Sequence, residues 1–293
     1  MTAPDGGGVG PLARSRTIGR IRIHAIEAGV LRLDGGTMFG VVPKALWERR
    51  IPADERNRIA LSLRCLLIEA PDALVLVDSG VGNKGDAKFQ NIYGVENEGN
   101  PTRLEDGIRA VGFSPEEVEI VLLTHLHFDH AGGGTVRRDD GAAVPAFPGA
   151  RYVVQGGELV DSGSRNERIR SSYLQDDIEP ITQAGLWDLA EGDGVLTRGV
   201  RLLRTPGHTP HHQSVLVESD GATACFLADI CPTSAHVPLT WTMAYDLEPL
   251  VAIETKRELW RRASEEEWLL IFQHDERIPW GFLDGDRRGV RSE

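Results

Sequence analysis

Apolar and polar residues alternate through Ile59, Leu61, Leu63, Cys65 and Leu67, and beyond Pro71-Asp72 an unbroken apolar run occupies residues 73–77. A period of two, a turn pair and a second apolar run predict two tightly joined strands. Thr102-x-x-Glu105 and Ser114-Pro115-Glu116-Glu117 have the form of capping boxes, so two short helices are expected before a strand over 119–124. Residues 152–155 predict another strand, and the polar segment 158–178 a helix of poor periodicity. Further strands are expected at 195–197, 200–204, 214–218 and 223–227, with Asp220-Gly221 as the hairpin turn between the last two. Residues 247–263 have helical spacing and end on Arg261-Arg262, which suits the helix dipole, before the apolar run 268–272.

Each half of the chain runs strands, helices, then a strand. That order predicts an α+β architecture of two sheets packed face to face, with helices outside and polar residues at strand ends. A doubly wound parallel sheet would need regular alternation through 186–227, which reads as antiparallel hairpins instead. No short repeat or low-complexity linker divides the 293 residues, so one domain is expected over 17–293, behind a disordered tail over 1–16 that is rich in Gly and Pro.

Composition narrows the function. With 26% charged and 41% hydrophobic residues the chain reads as a soluble globular protein. Its 44 acidic against 32 basic residues give a net charge of −12, which disfavours nucleic acid as a partner. Cys65, Cys225 and Cys231 contain no Cys-x-x-Cys and read as buried thiols, as a reducing compartment allows. The charge-free stretch 230–245 holds Pro232, His236 and Pro238, so no membrane span is expected. The N-terminus has no apolar signal segment, and a cytoplasmic location is expected.

The chemistry concentrates in His125-Leu126-His127-Phe128-Asp129-His130, three imidazoles and a carboxylate within six residues, directly after a strand and before a glycine run. In an extended segment His125 and His127 point the same way and can grip one ion, while the following turn sends Asp129 and His130 toward another. Such a mixed nitrogen and oxygen set favours zinc, with iron, manganese or cobalt as alternatives. Two ions need more donors than one loop offers. His208 in Thr205-Pro206-Gly207-His208-Thr209, Asp229 after an apolar run, and His274 after another are the polar strand-end candidates, and Asp229 can bridge two ions through its two oxygens.

Thr124-His125-x-His127-x-Asp129-His130-Ala131-Gly132-Gly133, followed by Pro206-Gly207-His208-Thr209, resembles the metallo-β-lactamase superfamily. With Leu76-Val77-Asp78-Ser79-Gly80 before it and Ala228-Asp229 and His274 after it, the resemblance spans roughly residues 18–280. It implies a four-layer αβ/βα sandwich with a dinuclear zinc site: His125, His127 and His208 on the first ion, Asp129, His130 and His274 on the second, Asp229 bridging, and Asp78 orienting a ligand histidine. The bridging aspartate makes the pattern look like quorum-quenching lactonases and organophosphate hydrolases. Their expected activity is opening of a lactone or cleavage of an ester by a metal-bridging hydroxide, with Asp129 and Asp229 as the catalytic carboxylates. One position departs from that pattern: lactonases commonly carry a tyrosine three residues after the bridging aspartate, and this chain has Pro232.

The rival readings are a glyoxalase II-like thioesterase, a phosphotriesterase, a mononuclear iron persulfide dioxygenase and a noncatalytic metal-binding protein. Met38 and Phe39, within the apolar, glycine-hinged segment 35–43, are candidate substrate contacts, as are His236, Trp241 and Tyr245, and Tyr245 is the candidate substitute for the missing phenol. His211 and His212 read as neighbours of the His208 turn. A small-molecule substrate is expected, and a homodimer is possible through an apolar patch of Phe39, Leu46 and Trp47.

Overall fold

Val75 and Val77, Ile120 and Leu122, Leu66 and Ile68 face one side of their strands, while Leu74, Leu76, Val121, Leu123, Leu63, Cys65 and Leu67 face the other. Strands that are apolar on both faces must be covered on both, and the computed structural model, which describes residues 11–291, shows how. The first sheet holds β1 (Ala13–Ile18), β2 (Ile21–Asp34), β3 (Arg58–Ala70), β4 (Ala73–Val77) and β5 (Ile120–Leu122). After a separate ribbon of β6 (Thr135–Arg137) and β7 (Ala143–Pro145), it gains β8 (Arg151–Gln155) and β9 (Trp187–Ala190), in the order β1-β2-β3-β4-β5-β8-β9. The second sheet takes β10 (Gly194–Thr197), β11 (Val200–Arg204), β12 (Gln213–Ser219), β13 (Ala222–Phe226), β14 (Leu269–Ile271), β15 (Trp280–Leu283) and β16 (Val290–Arg291), in that order.

The inner face of each sheet packs on the other, where Ile23, Leu66, Val75 and Leu122 meet Val215, Val217, Phe226 and Ile271. The outer face of the first sheet is covered by Leu104 and Ile108 of the helix Arg103–Ala110 and by Ile178 and Ile181 of the helix Gln175–Gln183. That of the second is covered by Ala252, Leu259, Trp260 and Ala263 of the helix Pro249–Glu265. These are the four expected layers, helix, sheet, sheet, helix, and not the doubly wound alternative.

Local chemistry accounts for the joints. Asp220 and Gly221 both have positive φ, 50° and 79°, as a two-residue turn between β12 and β13 requires. The Thr102 side chain accepts from Glu105 N and starts a true helix, whereas the Ser114 capping box opens only the single 3-10 turn Pro115–Glu117, because Val118 is already extended into β5. The helix expected from 247 begins at Pro249.

Residues 1–10 of the expected tail lie outside the described residues, but its last part is no tail: β1 begins at Ala13 and pairs antiparallel with β2. The expected dimer patch does not form either, since Phe39 and Trp47 stack inside the core and only Leu46 is exposed. All three cysteines are buried and free. Among the described residues no helix is long and apolar enough to cross a membrane.

Candidate metal centre

β4, β5 and β8 run parallel, as do β13 and β14, so their C-terminal ends open on one edge of the sandwich. Polar residues that follow those strands meet there, in the crevice where open parallel sheets present ligand sites. Asp78 follows β4, His125 to His130 follow β5, Glu158 follows β8, Asp229 follows β13 and His274 follows β14. His208 comes from the turn between β11 and β12. The glycine run packs backbone against backbone: a Cβ on Gly132 would lie 2.3 Å from Val81 O, and one on Gly133 2.1 Å from Ser79 O.

The buried Asp78 carboxylate accepts from Thr124 N and Thr124 Oγ1, both at 2.8 Å, and its Oδ2 lies 2.9 Å from His130 Nδ1. It therefore turns His130 Nε2 toward the centre. His208 is held the same way, its Nδ1 lying 2.9 Å from Asp246 Oδ1, and its Nε2 lies 3.1 Å from His127 Nδ1. His274 donates Nδ1–H to Ser62 O at 2.7 Å, which leaves its Nε2 facing His130 Nε2 at 3.3 Å. The two oxygens of Asp229 divide between these groups: Oδ2 lies 3.2 Å from His208 Nε2, while Oδ1 lies 3.1 Å from His274 Nε2 and 3.5 Å from His130 Nε2. Asp129 Oδ2 stands 3.7 Å from both His130 and His274 Nε2.

Ligand atoms of His125, His127 and His208, of His125, His130 and Asp229, and of Asp129, His130 and His274 lie within 4.8 Å of one another in three overlapping groups. His125 Nε2 and Asp229 Oδ1 are buried without a properly directed hydrogen bond. Buried polar atoms that converge yet leave one another unsatisfied suit an acceptor-only arrangement around cations, so the donor set fits divalent metal. Burial, aided by the surrounding imidazoles, pushes His125 and His127 well below the ordinary histidine range, the neutral state that a ligand needs. Burial opposes the charge on Asp229 as well, but His130, His274 and His208 outweigh it and hold the carboxyl well below its usual value.

The structure brings together every residue of the expected ligand set. It also shows supports that the sequence pattern did not reveal. Glu158, fully buried, accepts from Leu126 N at 3.1 Å, from the Tyr173 hydroxyl at 2.9 Å and from Thr209 Oγ1 at 2.7 Å, so one carboxylate pins the histidine loop to the His208 turn. Burial raises its pKa. His212 accepts from Asp229 N at 3.2 Å, and burial drives its pKa down to about 3.

Above the ligands lies a cavity of about 110 Å³, lined by Leu33, Met38, Leu61, Phe128 and Met243, with Tyr93, Tyr245, Ser171 and Ser172 as its polar edges. Met38 and Tyr245 are thus wall residues, and burial pushes the Tyr245 phenol up to about 12. Phe39, His236 and Trp241 are not, contrary to the expectation from sequence. Phe39 is fully buried and stacks on His236 at 4.4 Å, with Trp241 edge-on at 5.7 Å. Both His236 nitrogens are occupied, Nδ1 by Thr233 Oγ1 at 2.7 Å and Nε2 by Met38 O at 2.9 Å, so these three rings brace the wall from behind. Pro232, where a tyrosine was expected, accepts from His274 N through its carbonyl at 2.9 Å.

The family profile described as the metallo-beta-lactamase superfamily matches residues 61–274. An N-acyl homoserine lactonase from a Bacillus species is 30% identical over 227 residues, covering 73% of this chain and 82% of that protein. One from Bacillus cereus is 29% identical over 231 residues, covering 75% and 83%. Among solved structures, a probable metal-dependent hydrolase from Staphylococcus aureus superposes with a TM-score of 0.88 at 31% identity, covering 94% of this chain and 97% of that one. The dizinc quorum-quenching lactonase AidC superposes at 0.78 with 16% identity over 96% and 97% of the two chains, a likeness of fold alone. The chain belongs to the metallo-beta-lactamase superfamily, as a hydrolase similar to N-acyl homoserine lactonases.

Proposed function

We propose that the chain opens the ring of lactones with an apolar acyl arm, the N-acyl homoserine lactones being the first class to try, at a centre of two zinc ions. The observation that carries this reading is the Asp229 carboxylate, whose two oxygens face two separate imidazole groups beneath an apolar-walled cavity. His125, His127 and His208 would hold one ion, Asp129, His130 and His274 the other, and Asp229 both. Zinc in those positions, or iron, manganese or cobalt in its place, supplies Lewis acidity toward a carbonyl oxygen and lowers the pKa of water.

The chain's own groups do the rest. Leu33, Met38, Leu61, Phe128 and Met243 exclude water from the acyl arm and hold the lactone carbonyl over the ligands. Asp129, on the cavity floor, accepts a proton from the attacking water at a carboxylate oxygen. The Tyr245 hydroxyl, still protonated at neutral pH, donates to the carbonyl oxygen as negative charge develops there. Attack breaks the acyl C–O bond of the ring, the proton held on Asp129 passes to the departing alkoxide, and a carboxylate, an alcohol and one released proton result. The acidic net charge supports a small-molecule substrate over a nucleic acid.

Proton release by zinc-reconstituted protein across lactones of graded acyl length tests the reading, with chelated protein as control. Chelator-sensitive turnover with a chain-length optimum is expected. No turnover on any lactone, with turnover on a glutathione thioester, an aryl ester or a phosphotriester, overturns the substrate assignment and leaves the hydrolase in place.

A further inference from the structure

His274 follows β14 of the second sheet, yet what places it belongs to the first. Ser62 of β3 donates its backbone N–H to His274 O at 3.2 Å and accepts His274 Nδ1–H at 2.7 Å, and Arg64 N reaches Gln273 O at 3.3 Å. The Arg64 side chain closes this seam. It is 1% exposed, and its Nη1 donates to Phe272 O and, at 2.9 Å, to Asp275 O, the carbonyls on either side of Gln273-His274. Its Nε and Nη2 lie 2.8 and 2.6 Å from Glu27 Oε1 on β2, and Glu27 Oε2 accepts from the Ser62 hydroxyl.

We propose that Arg64, with the partly buried Glu27 as its counter-charge, is the positioning residue for His274 and so sets the second cation site, without touching substrate or cation itself. The proposal rests on the two-cation reading above. The Arg64 guanidinium spreads its donors across a plane, Nη1 to the two carbonyls and Nε and Nη2 to the carboxylate, a span that a single ammonium nitrogen in its place does not cover. Leaving Glu27 and two carbonyls short of donors in a dry seam releases the 272–275 turn, and His274 with it. Bracing residues of this kind typically alter metal affinity by about 10–100-fold.

Arg64→Lys, Glu27→Gln and wild type are to be compared by stepwise zinc titration against a chromophoric chelator and, on metal-free protein, by the NMR signal of the protected His274 Nδ1–H. The expected result for Arg64→Lys is a second zinc bound about 10–100-fold more weakly, a first zinc unchanged, and a lost or broadened His274 signal. Glu27→Gln should move both readouts in the same direction by less, and it decides the matter by the same criteria if Arg64→Lys does not fold. Wild-type values in both readouts, or equal weakening of both zinc ions, overturns the proposal. The metal-free signal separates this outcome from failure of the two-cation reading, which shows instead as wild type binding fewer than two zinc ions.

Discussion

His125, His127, Asp129 and His130 reach the centre on one six-residue stretch of the first sheet, whereas His208, Asp229 and His274 arrive singly from three places in the second. The stretch is held as a unit, by Asp78 at both ends, Glu158 at its middle and close backbone contact at the glycines. The single ligands each have a private support: Asp246 for His208, His212 for Asp229, Ser62 for His274. Under the two-cation proposal a common support would couple donors to both ions and a private one would govern a single donor, so damage to the two sides should look different.

The largest effect is expected at the residue that joins the sides. Asp229→Ala should lose both zinc ions on dialysis and abolish lactone opening, as metal analysis beside proton release would show; retention of either breaks the bridging assignment. Next, Tyr245→Phe should lower kcat about a hundredfold with little change in KM, while Tyr93→Phe leaves kcat near wild type. Equal kcat losses in the two variants would remove the distinction between the phenols.

The comparison itself is sharpened by Glu158→Gln against Asp246→Asn, each expected to weaken metal binding by about 10–100-fold. Glu158→Gln should weaken both zinc ions, and Asp246→Asn one, in the same chelator titration; identical profiles would sink the contrast between shared and private supports. The smallest effect on the centre comes from Lys84, which donates to Gly132 O and Thr135 O and pairs with buried Asp177 at 3.0 Å. Burial lifts the Asp177 pKa to about 6 against a partial pull downward from Lys84. A carboxyl raised in the folded state contributes stability below its unfolded value of 3.8, and that contribution is lost as pH rises through about 6. Wild type should therefore lose roughly 3 kcal/mol relative to Asp177→Asn between about pH 4 and pH 6. Chemical denaturation across that window measures it, and parallel curves would contradict it.

The stretch was legible because its chemistry is contiguous, and His208, Asp229 and His274 because each breaks an apolar run or sits on a Pro-Gly turn. Glu158 obeys the same strand-end rule after β8, but it opens the segment expected to be helical, and the helix itself begins two residues earlier at Gly156. Asp246 and Tyr93 carry no such signal, since their neighbours in sequence show no period that fixes a face. Phe39, His236 and Trp241 were misread for a related reason: apolar segments close to a ligand in sequence do not reveal which side of the wall a ring occupies, and here the rings stack on one another instead. In the fold, β3 and the Asp220-Gly221 hairpin were visible in alternation and turn chemistry, whereas the 14-residue β2 was not read as a strand. Short pieces such as β15 and β16 span too few residues to display a pattern.

Two wall segments, one near Met38 and one near Met243, are sewn together: Ala244 N donates to Thr37 O at 2.9 Å, and a Cβ on Gly40 would lie 2.7 Å from Thr242 O. The cavity is thus bordered on that side by a single panel assembled from distant parts of the gene. Divergence that retunes acyl preference through this panel should proceed by paired changes, one in each segment, with effects that do not add, while the ligand stretch beneath is inherited intact.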